Sequence, residues 1–302
     1  MVLFGPTGVG KTSLLSSIDP SYYEIVNADA MQVYKYLDIG TAKPSKQEQD
    51  RLHYHLLDIV HPDKQFTVAD FISYCDKLIP NIISRHRIPV ITGGSAFYLQ
   101  NFLFGLPETP AGNPSVRKDL DLEEQDKGLK SLYSHLQDID PESASHIEPN
   151  DSFRIKRAIE VYRITGKPRS AFKRKNTIRT GYDPLVLGLY REREQLYERI
   201  NARVITMIES GLEAEIRSLL KMGYKKSDPG LRAIGYREYV SIPQSQWPEK
   251  RDSITKEIQK NTRRYAKRQM TFFKKIDGVS WFQGEEETAL SAVDKYRKSF
   301  NM

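Results

Sequence analysis

Cysteine is nearly absent: Cys75 is the only one in 302 residues. An intrachain disulfide and any cysteine-cluster zinc site are therefore excluded, and a reducing compartment fits best. Long apolar runs are missing too. No stretch approaches the ~20 residues that a membrane span requires, so no membrane partner is expected. Nor does a basic segment followed by an apolar one precede the first glycine motif, as a secretory signal would require; a cytoplasmic protein is the expectation. Internal repeats and low-complexity tracts are lacking. So is a clear strand ending in the carboxylate of a motor ATPase or GTPase; Leu56-Leu57-Asp58 is the nearest and a poor match. With 39% hydrophobic residues, the chain is long enough for a sizeable core in one large domain or two.

Present instead is Gly5-Pro6-Thr7-Gly8-Val9-Gly10-Lys11-Thr12, which follows a short apolar run at residues 1–4 and precedes Leu14, Leu15 and Ile18 at helical spacing. This is the order strand, phosphate loop, helix. The glycines let the backbone curl so that several N–H groups point at one anion, and the helix adds its positive end. Lys11 supplies a mobile charge for phosphate oxygens, and Thr12 a hydroxyl for a magnesium ion. The pattern predicts a di- or triphosphate site without specifying the reaction.

Ile25-Val26 leads into Asn27-Ala28-Asp29, and residues 87–92 lead into Gly93-Gly94-Ser95. Strands alternating with helices predict an α/β fold: a P-loop NTPase-like parallel sheet flanked by helices. Ligand groups gather at the carboxyl ends of such strands, so Lys11, Asp29 and Ser95 can converge. Residues 105–114, rich in Pro and Gly, read as a linker. Beyond them Leu129, Leu132, Tyr133 and Leu136, and then Ile155, Ile159 and Tyr162, recur at helical spacing without a convincing strand. The expected organisation is a catalytic core over 1–107 and 182–302 and a helical insertion over 108–181. Residues 184–189 return the chain to the sheet. A long helix follows, with Leu196, Ile200, Val204, Met207 and Ile208 on one stripe and Arg199 and Arg203 on a neighbouring face. Another helix spans 256–273.

The net charge of +7 is unevenly placed. Residues 151–181 carry ten Lys/Arg against Asp151 and Glu160, and residues 256–275 carry eight against Glu257, leaving the remainder at −8. Solvated helix faces also carry such charges, but two concentrated runs on an otherwise acidic chain favour a nucleic-acid partner.

The chain resembles the tRNA dimethylallyltransferase family nearly end to end. The resemblance runs through Asn27-Ala28-Asp29-Ala30-Met31-Gln32-Val33-Tyr34, Asp38-Ile39-Gly40-Thr41-Ala42-Lys43-Pro44, and Gly93-Gly94-Ser95 with Tyr98-Leu99. It continues through Asn150-Asp151, Arg154, Arg157, Glu160-Val161-Tyr162, Thr165-Gly166-Lys167-Pro168, and Tyr197-Glu198-Arg199-Ile200 with Arg203. Gly211-Leu212 with Glu215, Ala233-Ile234-Gly235-Tyr236-Arg237-Glu238, and Thr262-Arg263-Arg264-Tyr265-Ala266-Lys267-Arg268-Gln269 complete it.

That resemblance implies transfer of a dimethylallyl group from dimethylallyl diphosphate to the exocyclic amine of the adenosine just 3′ of the anticodon, in tRNAs reading codons that begin with U. It implies that the loop holds a diphosphate leaving group, with Mg²⁺ on Thr12, although such proteins are often labelled ATP-binding. Asp29 is implied as general base, assisted by Ser95 and Arg203. The anticodon stem-loop is expected at Asp29, Ala30, Met31, Gln32, Ser95, Arg117, Phe153, Arg154, Ile155, Lys156, Arg157, Asn261, Thr262, Arg263, Arg264 and Tyr265. A monomer is expected, without the zinc finger of eukaryotic members. Ala30 replaces the family's usual serine and Ser95 its usual threonine. The rival readings are a small-molecule kinase, a nucleic-acid-binding NTPase, and an enzyme prenylating free adenine nucleotide.

Overall fold

The computed structural model describes residues 1–173, 177–179, 181, 183–284 and 287–299. Arg174 and Lys175 of the first basic run lie outside the described residues. In chain order come β1 (Val2–Phe4), α1 (Lys11–Ser16), β2 (Tyr23–Asn27), α2 (Lys46–Leu52), β3 (Tyr54–His55), α3 (Val68–Ser84), β4 (Ile88–Gly93) and α4 (Ala96–Phe104). Three further helices follow: α5 (Pro114–Ile139), α6 (Pro141–Ala144) and α7 (Ser152–Thr165). The chain closes with β5 (Val186–Tyr190), α8 (Arg193–Glu209), α9 (Leu212–Lys221), α10 (Tyr236–Val240), α11 (Trp247–Phe273), β6 (Ser280–Gln283) and α12 (Glu287–Ser299).

The chain divides into two compact units, Met1–Asn101 with Tyr182–Met302, and Phe102–Gly181. The smaller unit begins at Phe102 rather than at 108. The cause is local: the Arg179 N–H donates to the Leu103 carbonyl at 2.8 Å, so the end of α4 is bonded to the segment leaving the unit.

In the larger unit six parallel strands run in the order β3-β2-β4-β1-β5-β6. Every residue of β1, β2 and β4 is buried, as expected for a parallel sheet covered on both faces. Leu3 packs in one core with Leu14, Leu15, Leu196, Ile200 and Ala266. Its neighbour Phe4 points to the opposite face, stacked on Phe273 at 4.5 Å and edge-on to Trp281 at 5.8 Å. β6 extends the sheet where the sequence pattern gave no strand. Asp58, the poor substitute for a second acidic strand end, lies past β3 at φ +54 and pairs with Lys43 at 2.6 Å.

The smaller unit is helical. Its core joins Leu120, Leu132 and Leu136 of α5 to Ile155, Ala158 and Ile159 of α7. α5 is broken at Gly128, whose φ of +77 and ψ of 158 are non-helical, a conformation open to glycine.

Candidate functional site

The carboxyl ends of β1, β2 and β4 open on one cavity of about 730 Å³. The loop after β1 supplies Thr7 to Thr12, the turn after β2 supplies Asp29 to Gln32, and the turn after β4 supplies Gly94 and Ser95. The convergence expected of strand ends in a parallel sheet is thus realised. Loop geometry explains its glycines individually. Gly8 and Gly10 sit at φ +80 and +118, which side chains resist. A Cβ on Gly5 would meet the Leu189 carbonyl oxygen at 2.7 Å. Gly5 and Pro6 do not line the cavity; their carbonyls accept from Lys11 Nζ at 2.8 and 3.1 Å.

Lys11 is held at a depressed pKa of about 8, chiefly by burial and then by Arg203, with Asp29 opposing. Arg203 is also lowered by burial, with Asp29 opposing. It is therefore no ordinary surface arginine of α8; its Nη2 reaches the Thr41 carbonyl at 3.4 Å. One turn earlier, Arg199 Nε donates to the Gly8 carbonyl at 2.9 Å. Thr12 is exposed in the first turn of α1 and lines the cavity.

Asp29 is held through one oxygen. Its Oδ1 accepts from the Met31 N–H at 2.8 Å and the Gln32 N–H at 3.4 Å. Oδ2 lies toward Gly94, 3.6 Å from where a Cβ would stand. Ser95 Oγ accepts from the Ala30 N–H at 2.8 Å, and Gln32 Nε2 donates to the Thr41 and Ala42 carbonyls at 3.1 Å each. Tyr265, half-buried beside these groups, has its phenol pKa pushed up, first by burial and then by Asp29.

The charge balance of the lining is lopsided. Among the described residues, Lys11, Arg199, Arg203, Arg232, Arg237 and Arg268 face a single carboxylate, Asp29. Such a lining draws in anions while keeping one group able to accept a proton. Sequence reasoning does not single out Arg232, Arg237 or Arg268 as site residues; they flank or fall within the motifs quoted above, and Arg268 also belongs to the basic run 256–275.

The expected RNA-contacting residues separate into two sets. Phe153 is 75% exposed, and the Arg154 side chain is 66% exposed with an ion pair to Asp151 at 3.4 Å. Ile155, in contrast, is fully buried in the helical core, so its side chain is unable to reach a partner. Lys156 is committed to Asp121 and Glu124 at 2.6 and 2.7 Å. Arg157 and Arg117 bind the buried carboxylate of Glu160 at 2.5 and 2.8 Å. On α11, Thr262 and Tyr265 line the cavity. Asn261 donates to Glu238 at 2.8 Å, and Arg263 to Asn201 at 2.5 Å. Arg264 is exposed.

The sheet order, the glycine loop after the first strand and the polyanion-suited cavity define a P-loop-type α/β protein. Its particular family follows from comparison with known proteins. The family described as IPP transferase matches residues 32–276, and this chain belongs to it. A protein named tRNA dimethylallyltransferase from Alkaliphilus metalliredigens is 38% identical over 301 residues, covering 99% of this chain and 96% of the relative. A solved tRNA isopentenylpyrophosphate transferase from Staphylococcus epidermidis is 32% identical, with a TM-score of 0.68, covering 99% of this chain and 98% of its own. A eukaryotic dimethylallyltransferase acting on tRNA superposes with a TM-score of 0.77 at 27% identity, covering 99% of this chain and 76% of its own.

Proposed function

We propose that this chain transfers a dimethylallyl group from dimethylallyl diphosphate to the exocyclic amine of the adenosine directly 3′ of the anticodon, in tRNAs reading codons that begin with U. The observation that carries this reading is the cavity itself, in which a phosphate loop and one half-anchored carboxylate, Asp29, share a wall with six cationic side chains. An adenosine stacked in the anticodon loop must be splayed out to enter it.

In this reading the donor's carbon–oxygen bond breaks and its electron pair leaves on the diphosphate. The adenosine nitrogen bonds to that carbon, and its proton passes to Asp29 Oδ2. Met31 and Gln32 hold the carboxylate through Oδ1, so the accepting oxygen is oriented before substrate arrives. Lys11 and Arg203 gain energy as charge collects on the leaving group, which lowers the barrier. A magnesium ion fits with Thr12 as its protein ligand. Thr12, exposed at the start of α1 and lining the cavity, would hold it, and the chemistry it would supply is charge neutralisation on the leaving group. Phe153 and Arg154 of the helical unit, and Thr262, Arg264 and Tyr265 of α11, are the RNA-facing residues in this assignment.

The test is incubation with magnesium, labelled dimethylallyl diphosphate and either undermodified tRNA or adenosine monophosphate. Label is expected in tRNA alone, at the anticodon-adjacent adenosine, and preferentially in tRNAs for U-initial codons. Label in neither acceptor sinks prenyl transfer, and label in the mononucleotide alone sinks the choice of tRNA.

A further inference from the structure

Gln269 closes the family-like motif of α11, yet none of the chemistry above uses it. It is 3% exposed, and a buried amide must find partners for both its ends. It finds them on two different walls of the cavity. Its Oε1 accepts from the Thr7 N–H of the phosphate loop at 3.0 Å, and its Nε2 donates to the Gly94 carbonyl at 2.6 Å. Only one orientation of the amide satisfies both, because one partner is a donor and the other an acceptor.

The connection continues to the base. Gly94 is followed by Ser95, whose Oγ accepts from the Ala30 N–H at 2.8 Å, and Ala30 follows Asp29. One turn back along α11, Tyr265 gives the Gly94 carbonyl a second donor, at 3.3 Å. A Cβ on Gly94 would sit 2.6 Å from Gln269 Nε2, so a side chain there would push the amide off the Gly94 carbonyl. Beyond the β1–β4 pairing, the loop that would grip the leaving group and the wall that carries the carboxylate are therefore bridged by one side chain from a third element.

We propose that Gln269 is a positioning residue that sets the separation between the phosphate loop and the Asp29–Ser95 wall. This rests on the prenyl-transfer reading above. Its amide acts through its two backbone partners, the Thr7 N–H and the Gly94 carbonyl, and so holds the two segments together. Small errors of placement cost rate more than affinity: an error near 1 Å costs on the order of 10²-fold. The loss should accordingly appear in the chemical step.

Two variants test it, with single-turnover rates, donor and tRNA affinities and thermal melts measured on the full chain. Gln269→Met keeps volume and loses both hydrogen bonds. Its single-turnover rate at saturating substrates should fall by roughly 10²-fold, while donor and tRNA affinities change by no more than a few-fold. Gln269→Glu keeps the acceptor for Thr7 but, when ionised, sets a carboxylate against the Gly94 carbonyl. Its carboxyl can donate only when protonated, so the ratio of its rate to that of the unmodified protein should rise as pH falls. A packing role alone gives no such pH-dependent recovery. If Gln269→Met fails to fold, the Gln269→Glu ratio decides. A ratio that is flat with pH, or a Gln269→Met rate within two-fold of normal, overturns the proposal. An unmodified protein that labels no tRNA overturns the underlying reading instead, so the two failures are distinguishable.

Discussion

Arg157 Nη1 lies 2.5 Å from Oε2 of Glu160, a carboxylate that is 1% exposed. The same carboxylate accepts from Arg117 Nε at 2.8 Å and from the Asn113 N–H at 2.7 Å. Burial alone would raise the Glu160 pKa, but these donors, Arg157 foremost, hold it below the usual carboxylate range. An arginine in a basic run is here a structural part of the helical unit, which changes what its removal should do.

Arg157→Ala should destabilise the helical unit by about 2 kcal/mol, since a buried carboxylate loses a charged donor while keeping two others. Arg154→Ala, three residues away and solvent-exposed, should leave the melt unchanged. It should weaken tRNA binding and reduce the slope of log affinity against log salt by about one. Thermal melts and salt titrations of the two variants separate these effects, and the reverse pattern would reassign both residues.

Asp29→Ala should lower the single-turnover rate by roughly 10²–10⁴-fold, the usual worth of a positioned proton acceptor. tRNA affinity should stay nearly unchanged, because all six cationic side chains of the lining remain. Normal chemistry with lost tRNA binding would remove Asp29 from the role of base.

Lys11 ties pH to both stability and diphosphate binding. Its pKa of about 8 lies below the ordinary 10.5, so between these values the unfolded chain binds more protons than the folded one. The contribution of Lys11 to stability therefore rises with pH across that window and is lost as pH falls through about 8. Binding of inorganic diphosphate needs the charged amine. Affinity should decline as pH rises past about 8, with proton uptake on binding at pH above that value. Calorimetry in buffers of different ionisation enthalpy reads the uptake directly. Lys11→Arg, charged throughout, should lose the uptake, and retention of it would assign the proton elsewhere.

Glu215 anchors the loop that Arg203 and Gln32 contact. Its carboxylate accepts from the N–H groups of Asp38, Ile39 and Gly40 at 3.0, 2.8 and 3.3 Å, and from the Tyr236 hydroxyl at 2.5 Å. Glu215→Ala should cost ~1–3 kcal/mol in a thermal melt. KM for both substrates should rise as Thr41 shifts. Unchanged KM with the expected loss of stability would separate the loop from substrate binding.

What the sequence determined by itself is what short-range physics writes into it. The glycine loop after β1 was legible because left-handed φ at Gly8 and Gly10, and close backbone approach at Gly5, admit few other residues. β1, β4 and β5 were legible because strands buried on both faces are largely apolar, whereas β2 showed only Ile25-Val26, its Glu24 and Asn27 being polar though buried. β3 and β6 were not, since two residues at Tyr54–His55 and the half-exposed Ser280–Gln283 carry no such run. Only the tertiary structure decided which cations face the cavity. Arg154 and Arg157 are three residues apart in one helix, yet one meets water and the other a buried carboxylate; charge counts along a chain contain no helix phase relative to a partner. Arg203 and Gln269 come from helices far along the chain, and they line the cavity only because α8 and α11 cross the strand ends. Long-range packing sets that crossing, and no local pattern encodes it.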